Sequence, residues 1–491
     1  MSFDLVSMNT RFLIIVFDAL RPEFVTPELM PNLTALAARG VTCANAHSTF
    51  PTETRVNQSA VTTGCYPHRH GIVANQFPLP EAAPGAVLNT GDDRALEAAL
   101  AALDGPLLGV PTLGALLAHH GRRFATISAG TSGGGRLINI AAEQIGGFRL
   151  ALRRTEAAVP VGVFDRIAQR IGPPPEYKLP GIDWNQYAMR AYLDWVEPEE
   201  RPDVMLLWLS EPDESFHYHG IGSPEALSAI RAMDAALGEI MQHHGPALDA
   251  GEMQIIAMSD HGQITVAGEK LDLAARMRGA GFNAATSPAD DPDYIVVVHT
   301  AGGIWVRDHD PVLAGQMTEW LLDQPWCGPL FTRGGLPGTL PIAEIMADHP
   351  RAPDIYLALD HADTPNAWEH AGTSADNSPY PTGGGCHGGL SRHELQTTLI
   401  LAGSAFRKAS VSDVPVGNVD ILPTVLSVLG VALKHEIDGR VLTEALTTGS
   451  QVSAHTETLA SGGPGQTLLT VSQISGTRYL DAAWRTSRKL D

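Results

Sequence analysis

Three predominantly apolar runs, at 12–17, 203–209 and 253–258, each stop at a group of polar and acidic residues. Strands buried on both faces of a parallel sheet read this way, as unbroken hydrophobicity instead of alternation. Stretches of helical pattern fall between and around them, at 31–39, 54–63, 111–120, 185–196 and 223–243, with further strands at 41–46 and 123–128. Helices alternating with buried strands predict an α/β chain, a central and mostly parallel sheet with helices on both faces. The pattern returns late, with a strand at 396–402 and a helix at 420–429 stopped by Gly430.

This rhythm divides the chain. Residues 1–262 read as the first part of a core, with a variable segment near 78–180. Over 263–380 the alternation breaks, and a strand pair at 294–307 with a helix at 311–322 suggests an inserted α+β cap. Residues 381–491 read as the second part of the core, ending in a hairpin over 467–481 that turns at Ser475-Gly476. The Gly-Thr-Ser-Gly-Gly-Gly run at 130–135 has the look of a flexible or phosphate-cradling loop, although it lacks the Lys-Ser/Thr ending of a P-loop.

Composition narrows the class of partner. A formal charge of −21 argues against a nucleic-acid surface, which needs clustered Lys and Arg. It excludes small phosphate substrates less firmly, because bound divalent cations reverse the local sign. The four cysteines, Cys43, Cys65, Cys327 and Cys386, show no CxxC spacing and no disulfide-framework density. The first eleven residues lack a basic segment followed by an apolar one, and no uncharged apolar run reaches the ~18 residues of a membrane span. The expectation is a cytoplasmic protein without a membrane segment; its oligomeric state stays open.

Acids and imidazoles then fall where strands end. Asp18 follows Leu-Ile-Ile-Val-Phe. Asp213 and His217 follow the run at 203–209, Asp260 and His261 follow the run at 253–258, and His387 sits in Gly-Gly-Gly-Cys-His-Gly-Gly. In an open parallel sheet, functional groups gather beyond the C-terminal strand ends. Three Asp delivered to one edge repel each other unless cations bind there. Taken singly, a strand-end Asp also serves as a turn or cap residue. As a set with neutral imidazoles, these residues suit Zn²⁺, with Mn²⁺ or another divalent ion as the alternative. Thr54 opens the helix at 54–63, which Gly64 closes, so its hydroxyl lies at a helix N-terminus that favours anions. An ordinary Thr N-cap is the competing role.

The chain resembles the alkaline phosphatase superfamily, and within it the nucleotide pyrophosphatase/phosphodiesterase family. The resemblance rests on Asp18 in Asp-Ala-Leu-Arg-Pro, Pro51-Thr-Glu-Thr-Arg-Val-Asn57, Thr63-Gly-Cys-Tyr-Pro-His-Arg-His-Gly-Ile72, Glu211-Pro-Asp-Glu-Ser-Phe-His217, Ser259-Asp-His-Gly262 and the loop around His387. It implies Thr54 as nucleophile and Asn75 as donor to a phosphoryl oxygen. It further implies one zinc on Asp213, His217 and His387, and a second on Asp18, Asp260, His261 and the Thr54 oxygen. The implied activity is hydrolysis of phosphodiester or pyrophosphate bonds in a small phosphate ester or nucleotide. A phosphonoacetate hydrolase-like C–P hydrolase or a phosphomonoesterase on the same metals is the alternative. One departure stands beside the nucleophile: the family's Thr-Phe-Pro-Asn is here Thr54-Arg-Val-Asn, and Arg55 either adds charge to the pocket or points outward. With no third metal or Arg clamp evident, a diester's single charge fits better than a dianion. Cys65-Tyr-Pro-His-Arg69 spells the Cys-x-Pro-x-Arg of sulfatases, but it follows the helix that Thr54 begins, so the position is wrong for that chemistry.

Overall fold

The computed structural model describes residues 10–463 and 465–486, so the leaderless reading of residues 1–9 lies outside it. An eight-stranded sheet forms the centre: β1 (Arg11–Phe17), β2 (Gly40–Cys43), β3 (Phe124–Ser128), β4 (Phe148–Ala151), β5 (Val204–Leu209), β6 (Met253–Met258), β7 (Leu399–Gly403) and β8 (Ser410–Ser412). Its order is β8-β2-β7-β6-β1-β5-β3-β4. From β6 to β4 every pairing is parallel, whereas β7 runs antiparallel to both β6 and β2.

The unbroken apolar runs are explained by what covers each face. Leu13, Ile15 and Phe17 of β1 point into a core with Leu33, Leu36, Ile230 and Leu237. The intervening Phe12, Ile14 and Val16 pack with Val61, Leu113, Leu117, Ile421 and Leu422 on the other side. From Phe12 to Phe17 both faces of the strand are therefore dry, and no position in that run is free to be polar.

Four helices frame the strand ends: α1 (Thr54–Thr63), α2 (Ser132–Leu137), α3 (Asp213–His219) and α4 (Pro224–Asp249). α1 ends at Gly64, whose φ of 69° is a left-handed cap that costs other residues strain. Against the expectation of a loop, the glycine run at 130–135 enters α2, capped by the Thr131 hydroxyl accepting from the Gly134 N–H. Its glycines serve close packing: a Cβ on Gly133 would lie 2.2 Å from the Thr90 carbonyl oxygen, and one on Gly135 2.5 Å from the Ala151 Cβ. Gly133→Ala is expected to lose about 1–3 kcal/mol by overpacking against backbone, read as a lowered melting temperature.

Outside the central sheet, a six-stranded sheet spans 284–359, and a four-stranded one is built from Ile264–Lys270, His361–Pro365, Ala371–Asp376 and Gly385–Cys386. The C-terminal strands Thr467–Ile474 and Thr477–Arg485 turn at Ser475 and Gly476 and are joined by His455–Ala460. No helix among the described residues is long and apolar enough to cross a membrane.

Candidate metal centre

β1, β5 and β6 lie side by side and parallel, so their C-terminal ends open at one edge. The edge is tied together by backbone: Asp18 N–H donates to Leu209 O at 3.2 Å, and Asp213 N–H to Asp18 O at 3.1 Å. Asp213 begins α3 and His217 lies one turn on, which puts both side chains on one helix face. His387 is brought in from far along the chain. The strand Gly385–Cys386 pairs antiparallel with Ile264 and Thr265, and those residues closely follow His261.

Two three-residue clusters result. Asp213, His217 and His387 form one, and Asp18, Asp260 and His261 the other, with the donor atoms of each set within 4.8 Å of one another. His261 Nε2 lies 3.5 Å from Asp18 Oδ1 and 3.2 Å from Asp260 Oδ2. His217 Nε2 lies 3.3 Å from Asp213 Oδ2, and His387 Nε2 3.5 Å from Asp213 Oδ1. The clusters adjoin, because the His261 and His387 rings stack with centroids 3.9 Å apart.

The imidazoles are oriented alike. Nδ1 of His217 faces Gly385 O at 2.7 Å, Nδ1 of His261 faces Gly262 O at 3.0 Å, and Nδ1 of His387 faces Thr52 O at 2.8 Å. A carbonyl accepts only, so each Nδ1 carries the hydrogen and each Nε2 is aimed inward. Burial holds His261 down to about 3 and His387 well below the ordinary imidazole value, so both resist taking a second proton. The carboxylates show the complementary defect. Asp18 Oδ2 accepts from Trp208 Nε1 and Asp260 Oδ1 from the Ala19 N–H, while Asp18 Oδ1 and Asp260 Oδ2 are buried without a hydrogen-bond donor. Burial raises the pKa of Asp18 well above the carboxylate range, and the charges of Asp260 and Asp213 add to the rise. Inward lone pairs, orphaned carboxylate oxygens and mutual repulsion are what a cation site looks like before its cation. The residues present fit divalent metal.

Thr54 stands beside this pair of clusters. It is the first residue of α1 and not its cap, a role taken by Glu53 in extended conformation. Its Oγ lies 3.2 Å from His261 Nε2. The preceding loop is held by Asn57, which accepts from Thr49 N–H and donates back to Thr49 O and Glu53 O. Asn418, with no signal in the sequence reading, donates to both Asn57 Oδ1 and Asp260 O. Asn75 Oδ1 accepts from the Arg55 N–H at 3.1 Å, and its own N–H donates to the Glu53 carboxylate. Its Nδ2 has no protein acceptor among the described residues, and Asn75 lines a small cavity with Glu53, Gln76 and His299.

The structure thus brings all eight residues singled out in the sequence to one place. It adds Gln263, which follows Asp260-His-Gly directly and donates to Asp213, and Tyr380, whose ring stacks 3.7 Å from that of His217. Cys386 is buried beside His387, with its thiol donating to backbone and facing the Thr300 hydroxyl. A third group, Glu197, His243 and His244, also clusters. Its atoms are already engaged: both Glu197 oxygens bind Arg11, at 2.7 and 2.9 Å, and His244 Nε2 meets the Tyr192 hydroxyl at 2.6 Å.

Residues 12–307 match a family model described as type I phosphodiesterase / nucleotide pyrophosphatase. Venom phosphodiesterase 2 of Crotalus adamanteus is 22% identical over 252 residues, 50% of this chain and 26% of the relative. Human ectonucleotide pyrophosphatase/phosphodiesterase family member 1 is 24% identical over 258 residues, 51% of this chain and 23% of that protein. The chain spans about a quarter of the length of these curated relatives. Murine ectonucleotide pyrophosphatase/phosphodiesterase 5, solved as an inactive threonine-to-alanine form in complex with AMP, superposes with a TM-score of 0.59 at 17% identity, covering 87% of this chain and 97% of that one.

Proposed function

Since the chain belongs to the type I phosphodiesterase/nucleotide pyrophosphatase family of the alkaline phosphatase superfamily, we propose that it hydrolyses phosphodiester or pyrophosphate bonds with Thr54 as nucleophile. The observation that carries this reading is the Thr54 hydroxyl set against two adjoining clusters of inward-facing carboxylate and imidazole donors. Asp213, His217 and His387 would hold one metal, and Asp18, Asp260, His261 and the Thr54 oxygen the other. Zn²⁺ in both places, or Mn²⁺ as the alternative, would supply Lewis acidity for the attacking and departing oxygens of an in-line displacement.

The chain's own residues do the rest. Thr54 Oγ gives its proton to solvent and forms a bond to phosphorus, while the bond from phosphorus to the leaving oxygen breaks with its electron pair on that oxygen, which solvent protonates. The Asn75 side-chain amide donates to a non-bridging oxygen as charge grows there. Water then attacks the phosphorylated Thr54 and restores its hydroxyl. The backbone carbonyls of Thr52, Gly262 and Gly385 keep the three imidazoles from turning as this happens.

One observation bears on the second reading, a C–P hydrolase of the phosphonoacetate type or a phosphomonoesterase. Arg55 follows Thr54 and has its Nε buried without a hydrogen-bond partner, and a second anionic group such as the carboxylate of phosphonoacetate would fill it. A chromogenic diester, its monoester and phosphonoacetate, assayed with metal content measured on the same sample, separate the two. Turnover of the diester with bound metal is expected. Turnover of phosphonoacetate alone would replace the first reading by the second, and a metal-free protein hydrolysing nothing would end both.

A further inference from the structure

Arg55 occupies the second position of α1, next to the nucleophile, where the family pattern carries an aromatic residue. Its Nε is buried without a partner. Among the described residues its guanidinium makes no hydrogen bond and no ion pair, although an arginine offers five donors. Glu53, two residues before it, makes no ion pair with it, and one oxygen of the Glu53 carboxylate accepts from the Asn75 N–H. Its backbone stands in the site: the Arg55 N–H donates to Asn75 Oδ1, and the preceding Thr54 has its Oγ 3.2 Å from His261 Nε2. A buried Nε left without an acceptor beside a nucleophile costs stability, unless something bound there fills it.

What fills it is bounded by the surroundings. The small cavity at Glu53 and Asn75 shares Gln76, Val297, Val298 and His299 with a larger one of about 410 Å³. The larger cavity is lined by Val87, Leu271, Thr286 and Asn377 among others, and its one charged residue is Asp272. No lysine or arginine lines it. Lys270 is committed elsewhere, its Nζ donating to Ser378 O and Tyr380 O and facing Asp376. Arg55 is left as the fork for a planar or tetrahedral oxyanion.

Resting on the reading of Thr54 as nucleophile, we propose that Arg55 determines specificity by holding a second anionic group next to the phosphorus under attack, and so favours pyrophosphates over diesters of single charge. The shared chemistry is an oxyanion one or two bonds from the reacting phosphorus, whether a neighbouring phosphate or a carboxylate.

The test compares wild type with Arg55→Met, a neutral chain of similar length, and Arg55→Lys. Turnover of ADP-ribose, a pyrophosphate, is measured against that of the p-nitrophenyl ester of thymidine monophosphate, a diester of one charge. The ratio of the two kcat/KM values is expected to fall about 10- to 100-fold in Arg55→Met, the scale of a charge-assisted hydrogen bond, with part of it restored in Arg55→Lys. An unchanged ratio overturns the proposal. A second readout needs no turnover: in a Thr54→Ala background, calorimetry gives the preference for ADP over AMP, which Arg55→Met should shrink by a similar factor. Equal weakening of both ligands, or binding of neither, counts against Arg55. If wild type hydrolyses neither ester, the nucleophile reading fails, and the ADP/AMP preference still decides the role of Arg55. Phosphonoacetate against methylphosphonate in the same calorimeter shows whether a carboxylate serves as well as a phosphate.

Discussion

Replacing Thr54 by alanine is expected to lower phosphodiester turnover by about 10⁴-fold or more while leaving the fold and the metal content in place. The side chain is small, and its truncation removes one hydroxyl and one methyl at the N-terminus of α1, where Glu53 and not Thr54 is the cap. No helix bond is lost with it. Six carboxylate and imidazole groups remain to hold cations, so metal analysis of Thr54→Ala should match wild type. Thr54→Ser should keep measurable turnover, because the hydroxyl survives. Rapid acid quench of wild type should trap a covalent adduct on Thr54 that Thr54→Ala cannot form. A Thr54→Ala protein with undiminished turnover would sink the nucleophile assignment.

Asp18→Asn is expected to act in opposite directions with and without metal. In the chelated protein, burial and the neighbouring Asp260 and Asp213 hold the Asp18 carboxyl far above its unfolded value. Burial likewise raises Asp260, to about 7. Groups raised in this way contribute stability at low pH and lose it as pH climbs through the folded value. Chelated wild type should therefore melt lower at about pH 8 than at about pH 5.5, as far as these groups decide it. Asn at 18 keeps an acceptor for Trp208 Nε1 and removes the like charge. In chelator at about pH 8, the variant should melt several degrees above wild type. Saturating zinc should reverse the order, since a ligand at about 100 times its Kd adds roughly 2.7 kcal/mol to the protein that binds it. Turnover of the variant should fall on the order of 10²- to 10³-fold. Differential scanning fluorimetry at two pH values, with and without zinc, reads all four arms. Asp18→Asn melting below wild type in chelator would show that the acids are not in conflict.

Strand-end acids were legible because a parallel sheet gathers them without regard to sequence distance. Asp18, Asp213 and Asp260 follow three strands that the fold places side by side, and apolar runs report such strands reliably. Asp213 and His217 could be paired from their i, i+4 spacing alone. His387 was legible only through its glycine-rich setting, and its place depends on a two-residue strand no propensity argument would find. The glycine run at 130–135 was misread for a physical reason: glycine signals both conformational freedom and close approach, and here Gly133 and Gly135 answer to the second. Glu53 and Asn418 gave no signal, because what they do is receive or supply single hydrogen bonds across long stretches of chain. Arg55 was visible as a departure, but only the fold shows its Nε buried without a partner.

The three carbonyls that fix the imidazoles belong to the main chain. No single side-chain replacement removes them, so ring direction is insulated from ordinary mutational drift. The residues facing the larger cavity, such as Val87, Thr286 and Asn377, enjoy no such protection and owe nothing to the chemistry. A lineage built on this plan can therefore retune what it accepts at little cost to what it does to the bond. Its descendants should differ first in appetite and last in reaction.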